Sequence, residues 1–227
     1  MKWVDKFDLF LFDLDGLLVN SEYMHFEAYK RMLKNQGFDL SWDFNKFCKI
    51  AHRDEKSLEN GIYGCFPHLK EIEPNWTKLR NEKNSIFLKI IKNEKIDLLP
   101  GVENLLNELE KKNIKRSVVT NSTKEMVDLI IKNQSKLRSI PNWITREHYT
   151  RSKPFPDGYL YAIEKFANNN DRIIGFEDSQ RGIKALKTAN ICPVMINETI
   201  SKHVDIKDIF HFFSFENIPD NFEFINS

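Results

Sequence analysis

Four groups of polar residues, set where strands would end or in loops, carry the chemistry this chain could do. Asp13-Leu14-Asp15-Gly16 closes the run Phe7-Asp8-Leu9-Phe10-Leu11-Phe12, and Thr120-Asn121-Ser122 closes Arg116-Ser117-Val118-Val119. Lys153 lies in Ser152-Lys153-Pro154-Phe155-Pro156-Asp157-Gly158, and Glu177-Asp178-Ser179 follows the stretch from Arg172 to Phe176. Carboxylates such as Asp13, Glu177 and Asp178 are hard oxygen ligands suited to Mg²⁺. A carboxylate can also attack an electrophile, and a second can exchange a proton with a leaving oxygen. A lysine, with hydroxyl and backbone N–H groups near a helix N-terminus, suits the oxygens of a phosphoryl group. Each group alone has a plainer use: aspartates and Ser179 cap helices, and Lys153 before a proline could sit on the surface.

For these groups to meet, the runs before them must be strands of one sheet. The first is short and apolar with little alternation, as in a strand buried on both faces of a parallel sheet. Ligands of such sheets bind beyond the carboxyl ends of the strands. Side chains alternate along a strand, so the chain must bend for both aspartates to face one ligand, and Gly16 permits that bend. Strands are expected at residues 7–12, 116–120, 143–145, 172–176 and 193–196, separated by helices at 102–113, from Asp157 and from Ser179. This alternation predicts an α/β fold, a doubly wound, mostly parallel sheet with a Rossmann-like core. Between Asn20 and about Asp97 no buried strand is evident. Helical periodicity runs from Glu22 to Gln36 with Ser21 as N-cap, resumes after Ser41, and returns after Asn75. The expected division is a core of residues 1–19 and 98–227, with 20–97 an inserted all-helical domain.

Composition narrows the partners. Of 227 residues, 41% are hydrophobic and 30% charged, and the net charge of +1 offers no field to draw nucleic acid or an anionic membrane. Cys48, Cys65 and Cys192 are scattered without a CxxC pair and read as reduced thiols of a cytoplasmic protein. No signal peptide or membrane-spanning run is read.

In this order and spacing, the four groups resemble the motifs of the haloacid dehalogenase-like hydrolase superfamily. The resemblance covers nearly the whole chain. The insertion looks like the helical cap of the phosphatase and β-phosphoglucomutase branch. It implies a Mg²⁺-dependent phosphatase acting on a small phosphorylated metabolite, plausibly a sugar phosphate. Asp13 would be the nucleophile that forms an aspartyl-phosphate, and Asp15 the acid and base, lending its backbone carbonyl to the metal. Asp178 would be a further ligand, while Thr120, Asn121, Ser122 and Lys153 would hold the phosphate. Glu177 departs from the family's usual aspartate. It could bind the metal directly, or hold a metal-bound water or Lys153. Asn20 replaces a common aspartate at the hinge, and Asn190 stands where relatives often carry glycine.

In the insertion, Ser21, His25, Lys49, His52 and Arg53 fall on polar positions of that branch's substrate-facing cap. His25 could equally be a packing or hinge residue, and Lys49 and Arg53 solvated charges. Two alternatives to a phosphatase stand: a β-phosphoglucomutase-like phosphosugar mutase, and a non-catalytic binding or scaffold protein on the same fold.

Overall fold

In a computed structural model the chain is described over residues 1–53, 56–197 and 209–223. Six parallel strands form one sheet in the order β3-β2-β1-β4-β5-β6. They are β1 (Leu9–Phe12), β2 (Lys115–Val119), β3 (Asn142–Ile144), β4 (Ile173–Glu177), β5 (Cys192–Ile196) and β6 (Phe210–Phe212). The central strand β1 pairs Leu9 with both Lys115 and Ile173, so β2 and β4 flank it in register.

Alternation along β1 divides the core. Leu9 and Leu11 point to one face, where Tyr159, Ala162, Ile183 and Leu186 cover them from α8 (Asp157–Phe166) and α9 (Gln180–Thr188). Phe10 and Phe12 point to the other, under Leu105, Leu106 and Leu109 of α6 (Val102–Lys111) and Met126, Val127 and Ile130 of α7 (Lys124–Asn133). Helices on both faces explain why β1 is buried at every position.

The insertion holds α1 (Glu22–Asn35), α2 (Phe44–Ala51), α3 (Ser57–Cys65), α4 (Pro67–Ile72) and α5 (Trp76–Asn93). Phe26, Tyr29, Leu33, Trp42, Phe47 and Leu79 build its own core. One side of α5 reaches the sheet cluster through Phe87, Ile90 and Ile91. Both crossings between insertion and sheet run side by side. Val19 bridges Leu98, the N–H of Asn20 donates to the Asp97 carbonyl at 3.1 Å, and the Asn20 side chain accepts from Asp97 N–H at 2.9 Å.

Boundaries shift where capping chemistry decides. Helix α2 begins after Asp43, whose carboxylate accepts from Lys46 N–H at 2.7 Å, so Ser41 and Trp42 precede it. Ser21 holds the N-cap place of α1 without capping, because its hydroxyl turns to Asp15. Ser179 does cap α9, accepting from Gly182 N–H at 3.2 Å. Strand β6 is absent from the sequence reading: three half-buried residues at a sheet edge carry little period-two signal. Asn190 takes a left-handed turn with φ 56°, a conformation asparagine tolerates.

Candidate active site

All strands run parallel, so their carboxyl ends share one edge, and the reversal of strand order between β1 and β4 makes a crevice there. Asp13 follows β1 and stays in register through its N–H, which donates to the Phe176 carbonyl at 3.0 Å. It therefore lies beside Glu177, the last residue of β4, and Asp178. Lys153 comes from the loop before α8 and is buried among them. Its ammonium lies 2.5 Å from Asp13 Oδ1, 2.6 Å from Glu177 Oε1 and 2.7 Å from the Val119 carbonyl. The Tyr159 hydroxyl donates to the same Glu177 oxygen at 2.5 Å. Burial works to lower Lys153, but Asp13 and Glu177 outweigh it and hold the ammonium above its usual range. Burial pushes Asp13 up to about 7, against the pull of Lys153.

One oxygen each from Asp13, Glu177 and Asp178 lies within 4.8 Å of the others, all three residues buried. Burial raises Asp178 well above the carboxylate range, and Glu22, Asp13 and Glu177 add to this by repulsion. A buried, oxygen-only, mutually repelling donor set fits a hard divalent cation such as Mg²⁺. Asp178 is steadied by Asn197, whose side-chain amide donates to its backbone carbonyl at 2.8 Å. Gly16 keeps the approach open. It turns with φ 79°, and a Cβ there would overlap Asp178 and Glu22.

A second close approach yields a prediction. A Cβ on Gly182 would overlap the Glu177 carboxyl group. Gly182→Ala is therefore expected to displace Glu177, release Lys153 and lower kcat by about 10²-fold, the scale of a misplacement near 1 Å. Gly64→Ala is the control, since nothing lies within 4 Å of a Cβ there. Equal rates in both variants would refute the link between Glu177 position and turnover.

Asp15 is held by a different set of groups. Its Oδ1 accepts from Ser21 at 2.5 Å and lies 3.3 Å from His25 Nε2, while Oδ2 accepts from Ser122 at 2.6 Å and lies 3.5 Å from Thr120 Oγ1. Burial opposes ionisation, but these contacts outweigh it and hold Asp15 well below the usual carboxylate range. Burial and the Lys83 charge lower His25, so a neutral ring is assigned. Its Nδ1 then accepts from the Lys83 ammonium at 2.6 Å and its Nε2–H faces Asp15. The ring also stacks on Phe87 at 3.8 Å.

Burial pulls Lys83 down to about 7, although Asp15 opposes the shift. The unfolded chain binds that proton up to a pKa of about 10.4, so Lys83 makes stability rise with pH between about 7 and about 10. Lys83→Met removes the penalty. The variant should melt above wild type at pH 7, with the gap narrowing towards pH 10, while its kcat falls as His25 loses its donor. Thermal unfolding at both pH values checks this, and a constant gap refutes it.

The structure brings together Asp13, Asp15, Ser21, His25, His52, Thr120, Ser122, Lys153, Glu177 and Asp178. The Asn121 side chain serves the neighbouring loop. Its Oδ1 accepts from Lys153 N–H at 3.3 Å and lies 2.8 Å from the Tyr149 hydroxyl. His52 Nε2 lies 3.8 Å from Asp178 Oδ2. Lys49 and Arg53 are exposed beside it. Lys83 and Tyr159 stand outside the sequence expectations, and Glu22 enters them only as the start of a helix beside Ser21. Lys83 had a signal: it interrupts the buried stripe Leu79, Phe87 and Ile90 of α5 at helical spacing, where a cation needs a reason. Among the described residues, no helix is long and apolar enough to cross a membrane.

Residues 10–196 match the family model described as haloacid dehalogenase-like hydrolase. A phosphorylated carbohydrates phosphatase of Thermotoga maritima is 24% identical over 181 residues, covering 80% of this chain and 81% of that protein. A β-phosphoglucomutase of Bacillus subtilis is 26% identical over 189 residues, covering 83% and 82%. Among solved structures, a haloacid dehalogenase hydrolase of Entamoeba histolytica superposes with a TM-score of 0.78 at 28% identity, covering 93% of this chain and 95% of that one. With its parallel sheet, helical cap and cluster of carboxylates around Lys153, this chain belongs to the haloacid dehalogenase-like hydrolases, in their phosphatase and β-phosphoglucomutase-like branch.

Proposed function

We propose that the protein is a Mg²⁺-dependent phosphatase of small phosphorylated metabolites, of the sugar phosphate class, working through an aspartyl-phosphate on Asp13. The observation that carries this reading is the buried Lys153 ammonium between Asp13 and Glu177, beside Asp178. A phosphate dianion repels a carboxylate nucleophile, and this arrangement is suited to cancel that repulsion. Mg²⁺ held by Asp13, Asp178 and the Asp15 backbone carbonyl would supply a second positive charge at the phosphoryl oxygens. Glu177 gives one oxygen to both Tyr159 and Lys153, which supports positioning of Lys153 as its role.

An Asp13 oxygen attacks phosphorus as the ester P–O bond breaks, and Asp15 hands a proton to the leaving oxygen. Water then attacks the aspartyl-phosphate, its proton passes to Asp15, and inorganic phosphate leaves. Asp15 is held ionised by its contacts with His25, Ser122 and Ser21. A phosphoryl group that recruits Ser122 and Thr120 takes a donor away from Asp15 and adds negative charge near it. Both changes raise its proton affinity, so the proton that Asp15 gives to the leaving oxygen is one it takes from solvent as the substrate binds.

Residues 20–97 act as the cap over a core formed by 1–19 and 98–227, with the paired crossings at Val19–Leu98 and Asn20–Asp97 as hinge. The phosphorylated carbohydrates phosphatase and β-phosphoglucomutase relatives support a sugar phosphate. The second also favours a mutase as the rival reading. Phosphate release from an aryl phosphate, then from a panel of phosphorylated sugars, nucleotides and small acids, separates them. The expected result is release that stops with chelator and returns with Mg²⁺. Isomer formation primed by a sugar bisphosphate, without net release, would favour the mutase. No turnover of any ester with Mg²⁺ present would sink both.

A further inference from the structure

Next to the carboxylate cluster lies a second group of ligand-bearing side chains that the proposed reaction leaves without a task. Glu22, Cys48 and His52 each place one donor atom within 4.8 Å of the other two. The arrangement follows from local structure. Cys48 lies in the last turn of α2 and His52 is its C-cap residue, so the pair stands four residues apart on one face of the helix. Glu22 opens α1, and its carboxylate reaches both: Oε2 lies 3.9 Å from Cys48 Sγ, and Oε1 contacts His52 Nε2. All three are half-buried, within reach of solvent.

The donors differ in kind from those of the neighbouring cluster. Asp13, Glu177 and Asp178 offer oxygen alone. A thiolate, an imidazole and a carboxylate form the mixed set that a borderline-soft ion such as Zn²⁺ prefers and Mg²⁺ does not. Bonds of about 2.0–2.3 Å to a tetrahedral ion put neighbouring donors roughly 3.2–3.8 Å apart. The 3.9 Å between Sγ and Oε2 is already close to that. A fourth donor is at hand on the core, since Asp178 Oδ2 lies 3.8 Å from His52 Nε2. The same loop is docked on the core through the Arg181 N–H, which donates to the His52 carbonyl at 3.3 Å.

We propose that Glu22, Cys48 and His52 form a Zn²⁺ site on the underside of the cap, completed by Asp178, and that zinc there latches the cap to the core and inhibits turnover. Cys48 binds as thiolate, its proton passing to solvent. Drawing Asp178 towards zinc removes a ligand from the Mg²⁺ cluster, and closing the cap bars the substrate.

Co²⁺ substitution tests the site without relying on activity, because thiolate ligation gives a sulfur-to-cobalt charge-transfer absorption that oxygen ligation lacks. The full-length protein should show this band with Co²⁺, and so should Asp13→Asn. It should vanish in Cys48→Ala and persist in Cys65→Ala. With Mg²⁺ saturating, Cys48→Ala should keep wild-type turnover within about twofold, and its Zn²⁺ inhibition constant should rise at least tenfold. A missing band, or one that survives Cys48→Ala, overturns the site. An unchanged zinc inhibition constant overturns the latch and assigns inhibition to the carboxylate cluster.

Discussion

Asp13→Asn is expected to abolish turnover, by at least about 10³-fold in kcat, in a variant that folds like wild type. Asparagine keeps the shape of the side chain and can still accept from Lys153, but it cannot form the covalent phosphoryl intermediate. A stability signature separates lost chemistry from lost structure. Asp13 is raised to about 7 by burial, so between about 4 and about 7 the folded state binds more protons than the unfolded chain. Without divalent cation, wild-type stability should therefore fall as pH climbs through that window, and the variant should lose this part of the slope. Single-turnover assays and urea unfolding at pH 5 and pH 8 measure both. Wild-type rates in the variant would remove Asp13 as nucleophile, and an unchanged pH slope would contradict its buried environment.

Lys153→Met should produce the largest combined loss of stability and activity. The ammonium is buried against Asp13 and Glu177, so removing it leaves two carboxylates facing each other without compensation. Breaking such a buried pair costs about 3–5 kcal/mol. Turnover should fall by about 10²-fold or more with the loss of transition-state charge stabilisation. Adding Glu177→Gln should restore part of the stability, because the unpaired charge is gone, while turnover stays low. Urea midpoints over this double-mutant cycle give the coupling energy. A Lys153→Met protein as stable as wild type would show that the ammonium does not offset those charges.

Much of the architecture was legible because it is local. The run Leu9-Phe10-Leu11-Phe12 reads as a buried strand, since alternate residues must satisfy opposite helical layers. Helix α6 lies where a helix over 102–113 is expected, α8 and α9 begin at Asp157 and just after Ser179 as the strand–helix alternation requires, and Ser179 caps α9 as its position predicts. Strand β6 was not legible, because three half-buried edge residues barely differ from a loop. In the site, Asp13, Lys153 and Asp178 are legible as polar residues at strand ends and in a loop, and their roles come from the resemblance to the family's motifs. Lys83 shows in the sequence only as a cation out of place in the apolar stripe of α5, and what it serves, the His25 ring stacked on Phe87, is set by packing of α5 against α1.

From sequence alone came the chemical inventory and its order along the chain: which carboxylates, which lysine, which hydroxyls, and that strands deliver them to a common edge. Those depend on residue type and on periodicities of two and 3.6, which neighbours in the chain set between themselves. Tertiary structure alone decided the partnerships. Lys153 meets Asp13 across 140 positions, Ser122 meets Asp15 across 107, and Glu22 meets His52 across 30 where α1 packs against α2 within the insertion. Strand order brings such groups within a few ångströms, and burial then sets how strongly their charges interact. Neither quantity is a property of any short stretch of chain.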